Sequence, residues 1–276
     1  MLVLWSAAAA LAGPWIKEPG QAYVKVGTSR FGSSGYVGPD GTAVAGLRYV
    51  GLTEHVYAEV GVLPHLQVVA NLPFVGARNV DGELIYINRQ FGDADLGLAT
   101  GGKLGELPVS LTASAKLPLY DNSDLSSYGS AGAAFPAMGD GQVDVTLSGA
   151  IGTGLAVGSQ RGWAAAEAGY RHRTEWWLGD SGSPDRTYGD GLPWRVQLGW
   201  SPAAGGRDLG WLAADASGSQ NLGEADTVTK QWVQVGAGLG ARIGHGLALE
   251  AGGGLMPWAR NSSTGWSLSG GISWSR

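Results

Sequence analysis

The sequence lacks cysteine and has few charged residues. None of its 276 residues is cysteine, which excludes disulfides, thiolate catalysis and cysteine-based metal sites. Charged residues make up only 15% of the chain, and the formal net charge is −5. Lysine and arginine occur mostly singly rather than in a basic patch, so we expect no nucleic-acid partner.

The sequence also lacks an apolar run near its N-terminus that could form a membrane-spanning helix. The apolar stretch over residues 2–12 is too short, because such a helix needs about 20 residues. Ala10, Leu11 and Ala12 form an A-x-A pattern before Gly13, which is typical of a secretory cleavage site. We therefore predict a signal-peptide remnant over residues 1–12 and a single domain over residues 13–276.

The chain does contain a repeated two-residue alternation of apolar and polar side chains. In residues 109–119, for example, Val109 and Leu111 alternate with Ser110 and Thr112. A period of two is that of a β-strand, since successive side chains point to opposite faces. The alternation recurs along nearly the whole chain with no amphipathic helix between the strands. We predict an all-β fold, a single antiparallel up-and-down transmembrane β-barrel of about 12 strands.

Clusters of glycine, proline, asparagine and aspartate separate the predicted strands. The strands are expected near residues 20–29, 44–62, 65–76, 91–103, 108–119, 140–156, 161–177, 192–202, 207–218, 227–243, 246–259 and 264–275. Short connectors at 63–64, 105–107, 157–160, 203–206 and 244–246 alternate with long ones at 30–43, 77–90, 120–139 and 178–191. This asymmetry is typical of a bacterial outer-membrane barrel, which has short periplasmic turns and long extracellular loops.

Composition agrees with a barrel in a membrane. Forty-eight glycines suit closely paired strands better than helices, and 12 tryptophans and 9 tyrosines outnumber 4 phenylalanines. Aromatic side chains with a polar group concentrate where an apolar layer meets water. The composition therefore indicates an aromatic belt at the membrane interfaces.

Several short patches between residues 59 and 144 resemble a known family. They are EVGV at 59–62, LPF at 72–74, FGDADLG at 91–97, KLP at 116–118 and GDGQVD at 139–144. In order and spacing they are similar to the outer-membrane β-barrel family named for the meta-pathway of phenol degradation. The resemblance implies a transporter-like barrel, related to transporters of hydrophobic and aromatic compounds.

The polar face of the strands is predicted to line the barrel lumen. A lysine or arginine facing lipid would cost about 2 to 4 kcal/mol at the membrane midplane, so the strand parity assigns the charges to the interior. The predicted lumen and solute-path residues are Lys25, Glu59, Gln67, Asn71, Asp93, Asp95, Lys116, Asp144, Glu167, Arg171, Arg173, Arg195, Lys230, Arg242 and Glu250. Both signs of charge are present, so we expect interior ion pairs. Two interpretations stay open: a polar path for solute, or side chains that only fill and stiffen the barrel.

Four acidic residues form a candidate cluster near the outer rim. Asp93 and Asp95 share one strand face, and Asp140 and Asp144 could lie near them in space. Paired carboxylates can perform acid–base chemistry or bind a divalent cation. The spacing here is not specific, which favours a structural role, and we predict no metal and no cofactor.

The long segment 120–138 is a candidate gate. A loop of this length is unusual unless it is functional or disordered. We hypothesise that it folds over or into the barrel mouth, with Asp121, Asp124, Phe135 and Met138 as gate residues. A surface loop without a gating role is the alternative.

The histidines offer little support for an enzyme. His65 and His245 fall in predicted short turns, whereas His172 is expected on the outer surface between Arg171 and Arg173. Nucleophilic catalysis at His172 would require a serine within hydrogen-bond reach, and the sequence indicates no such partner. We therefore predict a protein that is not an enzyme, with an outer-membrane lipid-modifying enzyme as the least favoured alternative.

Together these features predict a porin-like channel in the outer membrane of a Gram-negative bacterium. It would pass small hydrophobic or aromatic solutes by diffusion and select them by pore width and lumen polarity. Its surroundings would be outer-membrane lipid and lipopolysaccharide. The alternative is a closed barrel with a structural or surface-interaction role, and the sequence does not indicate an oligomeric state.

Overall fold

The computed structural model describes residues 13–81, 83–121, 136, 138–158, 160–177, 188–204, 207–222 and 229–276. Within these ranges no helix is long and apolar enough to cross a membrane. The strands are β1 (Ala22–Val37), β2 (Ala43–Leu63), β3 (Leu66–Asp81), β4 (Leu84–Phe91), β5 (Asp93–Leu104), β6 (Leu107–Pro118), β7 (Gln142–Val157), β8 (Gln160–Trp177), β9 (Gly191–Ser201), β10 (Ala203–Ala204), β11 (Arg207–Asp208), β12 (Gly210–Asn221), β13 (Gln231–Gly244), β14 (Leu247–Arg260) and β15 (Gly265–Ser275).

The long strands form one closed antiparallel ring. Each pairs with its neighbour along the chain, and β1 closes the ring by pairing with β15, from Tyr23 opposite Ser275 to Gly32 opposite Trp266. Strands β4 and β5 both pair with β3 and are two halves of one barrel strand, interrupted at Gly92. The described part of the chain therefore forms a barrel of twelve strand positions, as predicted.

The two faces of the strands lie on the sides that the alternation predicts. On β6, Leu111 is 59% exposed on the outer face, whereas Ser110 and Thr112 are buried inside. On β7, Leu147 is exposed outside and Asp144 is buried inside. An apolar outer wall around a polar interior is the arrangement of a barrel surrounded by lipid.

Two of the predicted long loops are wrong. β1 continues to Val37 and β2 begins at Ala43, while β3 continues to Asp81 and β4 begins at Leu84. Most of residues 30–43 and 77–90 is therefore strand. On β1 and β3 these extensions include outward arginines and glycines that interrupt the apolar pattern, such as Arg30, Gly32 and Arg78, although the backbones continue to pair, with one register shift between Ser33 and Gly35. The strict alternation of short and long connectors fails at these two hairpins.

The segment predicted as a strand over 207–218 is also divided. Residues of β10 and β11 form a small separate hairpin, and the barrel strand β12 begins only at Gly210. By contrast, His65 and His245 lie in tight turns as expected, exposed and in left-handed conformation with φ of 63° and 52°. The described turns at this end are short, and β1 begins and β15 ends here as well.

Candidate functional site

The barrel interior holds a main cavity of about 920 Å³. A second cavity of about 80 Å³ lies towards the end where the longer loops join the strands. Of the predicted lumen residues, the main cavity is lined by Lys25, Glu59, Asn71, Glu167, Arg195, Arg242 and Glu250, and the second by Asp93, Lys116, Asp144, Arg171, Arg173 and Lys230. Gln67 and Asp95 are buried in the interior wall. All fifteen side chains therefore face inward, and we call the larger space the chamber.

The segment preceding β1, residues 13–18, lies inside the barrel at the periplasmic end and contributes Gly13, Pro14, Trp15 and Lys17 to the chamber lining. The hydroxyl of Ser110 donates a hydrogen bond to the Gly13 carbonyl at 2.8 Å. The backbone N–H of Lys17 donates to the side-chain oxygen of Gln67 at 2.9 Å, and the Lys17 ammonium lies 3.6 Å from Glu59. The strand alternation did not predict this segment, because it is not part of a strand.

Inward-facing glycines make room for this segment on three strands. A Cβ atom at Gly61 would lie 2.1 Å from the Glu18 carbonyl oxygen. A Cβ at Gly101 would lie 2.7 Å from Ile16, and one at Gly152 would lie 2.6 Å from Pro14. Glycines at inward positions of β2, β5 and β7 are thus the sequence signal from which a chain segment packed inside the barrel could have been predicted.

A pair of variants on β7 tests this packing. Gly152→Val is expected to push Pro14 and its neighbours off the wall, and this should expose the Lys17 peptide bond to trypsin. Gly154→Val is the matched control, because Gly154 shares the inward parity of Gly152 but its Cβ would meet nothing within 4 Å. Mass spectrometry after limited trypsin digestion measures the rate of cleavage at Lys17. Equal rates in the two variants would contradict the predicted contact.

Several tryptophans line the chamber, whereas the composition of the chain predicts tryptophans at the membrane interfaces. Trp163, Trp211 and Trp232 face the chamber, whereas others, such as Trp200, are exposed on the outer wall. The Trp163 ring lies over Gly199, its cross-strand partner, where a Cβ would be only 2.0 Å from the ring. Tryptophans therefore fill space both inside and outside the wall.

Ion pairs stiffen the chamber wall without filling its centre. The Lys25 ammonium lies 2.6 Å from Glu250, and the Tyr23 hydroxyl donates to the same carboxylate at 2.8 Å. Arg195 lies 4.0 Å from Asp215. Since the cavity persists between these pairs, the interior has both paired charges on its wall and free volume along its axis. Whether solute passes through that volume stays a prediction.

A denser ion cluster separates the chamber from the outer end of the barrel. The Lys116 ammonium lies 2.7 Å from Asp140, 3.1 Å from Asp144 and 3.8 Å from Asp93. Arg173 pairs with the same Asp140 and lies 2.8 Å from Asp144. Burial alone would raise the pKa of Asp140, but Lys116 and Arg173 hold that pKa well below its ordinary value. Three of the four residues of the predicted acidic cluster, Asp93, Asp140 and Asp144, thus converge on two cations, while Asp95 is buried but takes part in none of the described ion pairs.

The end of the 119–141 connector is anchored in this mouth. Met138 is fully buried and packs in a cluster with Phe31, Tyr49 and Tyr120. The Tyr120 hydroxyl accepts a hydrogen bond from the Gly141 N–H at 2.9 Å and donates to Asp93 at 3.0 Å. This part of the connector therefore folds into the barrel, as the gate hypothesis requires, although gating itself stays a prediction.

The other proposed gate residues are less informative. The backbone of Asp121 exchanges two hydrogen bonds with the Gln90 side chain. Asp124 and Phe135 lie outside the described residues. The same holds for residues 1–12, so the boundary of the signal peptide stays a prediction.

His172 lies on the outer surface near the rim, as expected. Its Nδ1 is 3.1 Å from Asp190, which also accepts hydrogen bonds from the Tyr170 hydroxyl and the Arg173 N–H. Among the described contacts of His172 there is no serine hydroxyl. Nor do the described residues include a group of three or more histidine, aspartate or glutamate side chains that could hold a metal.

Comparisons with known proteins bear on the fold. No protein-family model and no curated protein matches the sequence, so the resemblance to the phenol-degradation family has no confirming match. Among solved structures, the COG4313 outer membrane channel from Pseudomonas putida F1 is similar over 100% of both chains, with a TM-score of 0.61 at 13% identity. The translocator domain of the autotransporter NalP from Neisseria meningitidis is similar over 94% of this chain and 90% of that one, with a TM-score of 0.50 at 12% identity. The chain therefore has the fold of outer-membrane β-barrels, in agreement with the location predicted from its sequence.

Proposed function

We propose that this protein is a diffusion channel of the bacterial outer membrane for small aromatic or hydrophobic solutes. The observation that carries the proposal is the chamber of about 920 Å³, which is walled by paired charges and lined by four tryptophans, Trp15, Trp163, Trp211 and Trp232. Aromatic rings bind other rings by stacking and edge contacts, while the wall charges can hydrogen-bond the polar group of the same solute. The name of the Pseudomonas putida channel supports the same class of activity.

Selection in such a channel would come from width and lining rather than from bond chemistry. Residues 13–18 narrow the path at the periplasmic end, and the Lys116 cluster narrows it at the outer end. The two constrictions favour a slow, selective passage over a wide general pore.

If the same two constrictions block the path completely, the protein is instead a closed barrel with a structural role, which is the alternative function. Swelling of proteoliposomes in phenyl glucoside, maltose and glycine separates the two functions. We expect phenyl glucoside to enter faster than maltose, because the chamber tryptophans can contact its ring. A closed barrel would admit none of the three solutes, and equal entry of phenyl glucoside and maltose would contradict the proposed aromatic selectivity.

Single tryptophan variants assign the selectivity to the chamber. Trp211→Ala is expected to remove the preference for the aryl solute, since Trp211 lines the chamber. Trp200→Ala is the matched control, because Trp200 is exposed on the outer face of the barrel wall. If both variants kept the wild-type preference, the chamber tryptophans would not be the selective element.

A further inference from the structure

Four arginines near the outer end of the barrel face outward, away from the lumen. Arg30, Arg48, Arg78 and Arg89 are exposed and lie on β1, β2, β3 and β4 respectively. They share the outward parity of apolar side chains on these strands, such as the exposed Leu52. We call these four residues the arginine band.

Strand register brings the band together. Arg30 pairs with Leu52, Leu52 with Gly76, and Gly76 with Arg89, so both end arginines lie in one row across four strands. Arg78 is two residues further out on β3, and Arg48 is opposite Val80, two residues beyond Arg78. Diagonal neighbours of this kind lie about 7 to 8 Å apart. Arg89, Arg78 and Arg48 therefore form a diagonal of cations across three adjacent strands.

The band has no anionic partners in the described part of the chain. None of the ion pairs found there includes any of the four arginines. The nearest outward-facing acid by register is Glu54, which is opposite Thr28 and Phe74 in the row below. Arg30 instead lies over the Trp266 ring, 5.8 Å from its centroid. The four charges of the band are therefore presented to the surroundings of the barrel rather than to carboxylates in the described ion pairs.

The depth of the band matches the level of lipid headgroups. The row immediately below it contains Phe74 and Phe91, whose exposed rings pack edge to face at 5.5 Å. Below these rings the outer face is apolar. A charged side chain on the lipid face costs little near the interface but about 2 to 4 kcal/mol at the midplane, so the arginines mark the upper edge of the hydrocarbon layer.

We propose that the arginine band binds the phosphate groups of an anionic lipid in the outer leaflet, in the chemical class of phosphorylated glycolipids. Arginine presents a planar fork of donors that matches phosphate in a bidentate way. The exposed Ile85 and Ile87 lie beside the arginines, and the rings of Phe74 and Phe91 lie below them. Apolar contacts interleaved with cations fit an amphiphile anchored in the membrane better than a free phosphate ion. The proposal depends on the outer wall meeting lipid and is independent of transport through the chamber.

Binding of diphosphoryl lipid A to the full chain in detergent micelles tests the proposal. The variant Arg48→Gln, Arg78→Gln, Arg89→Gln is expected to weaken binding at least ten-fold, measured by native mass spectrometry or thermophoresis. The matched control is Arg161→Gln, Arg207→Gln, Arg276→Gln, which removes the same charge from exposed arginines at the periplasmic end and should bind as the wild type does. Heat-modifiable migration on gels checks that each variant is a folded barrel.

Three further measurements show whether the bound phosphate belongs to a lipid or is a free ion, and whether the arginine band binds it. Lipid A without phosphates should bind the wild type no better than it binds the band variant. Millimolar inorganic phosphate should not displace diphosphoryl lipid A, and complete displacement would indicate a free-phosphate site instead. Equal weakening in the band and control variants, or wild-type binding by the band variant, would overturn the proposal. If the triple variant does not fold, Arg78→Gln alone must weaken binding measurably, and unchanged binding by that folded variant would likewise overturn it.

Discussion

Replacing Lys116 by methionine is expected to destabilise the barrel by about 3 to 5 kcal/mol, the cost of removing one partner from a buried ion pair. Among the described ion pairs, the substitution would leave Asp140 and Asp144 with Arg173 alone and Asp93 with no partner. The Lys116 side chain is only 11% exposed, so water cannot replace the lost charge. Urea unfolding in phospholipid vesicles, followed by tryptophan fluorescence, measures the change in free energy of unfolding.

Two matched variants show whether the effect comes from the cluster. Lys103→Met removes a lysine that is exposed at the periplasmic end of β5 and should change the free energy of unfolding little. Lys116→Arg keeps the charge within reach of the carboxylates and should recover most of the loss. A Lys116→Met barrel as stable as the Lys103→Met barrel would show that the three carboxylates do not depend on Lys116.

Deleting residues 13–18 is expected to open the chamber to the periplasmic side. The chain has no cysteine, so a single introduced thiol reports on one position only. Ser269→Cys places that thiol on the chamber wall. We expect a charged thiol reagent to label it at least ten times faster in the deleted chain than in the full chain, since Lys17 no longer spans the opening between Gln67 and Glu59.

The control thiol is placed on the other side of the same strand. Leu268→Cys faces outward, and its labelling rate should be the same with and without residues 13–18. The reagent reaches the chamber from the periplasmic end without passing the Lys116 cluster. The labelling rate therefore reports on the constriction formed by residues 13–18 and not on the one formed by the Lys116 cluster. An unchanged rate at position 269 would mean that the segment does not close the chamber.

The sequence predicts which side chains face the lumen and which face outward, because the alternation along a strand depends only on residues close together in the chain. A residue such as Asp144 needs no knowledge of its partners to be assigned inward, since a charge in lipid is costly and every second residue shares its face. The same reasoning found twelve strand positions. It ended the first strand too early because Arg30 and Gly32 interrupt the apolar pattern, although their backbones continue to pair.

The parts that could not be predicted depend on contacts between distant segments. Residues 13–18 have no period of their own, and their place in the barrel follows from glycines on β2, β5 and β7. The aromatic-belt interpretation rests on composition alone, and composition does not distinguish the two faces of a wall. The proximity of Asp140 to Asp93 was expected, but its ion pair with Lys116 depends on the register between β6 and β7, which places Lys116 opposite Asp144 and which no pattern within either strand specifies.

The Trp163 ring on Gly199 has a consequence for how this chain can vary. Any side chain at position 199 would enter the indole, so the glycine can be replaced only in a chain whose position 163 is already small. The reverse substitution, a small residue at 163, would leave the glycine backbone uncovered and a gap in the chamber wall. The two positions are therefore expected to covary. Related chains should carry either a large side chain at position 163 with glycine at 199, or a small residue at 163 with a larger one at 199, and rarely any other combination.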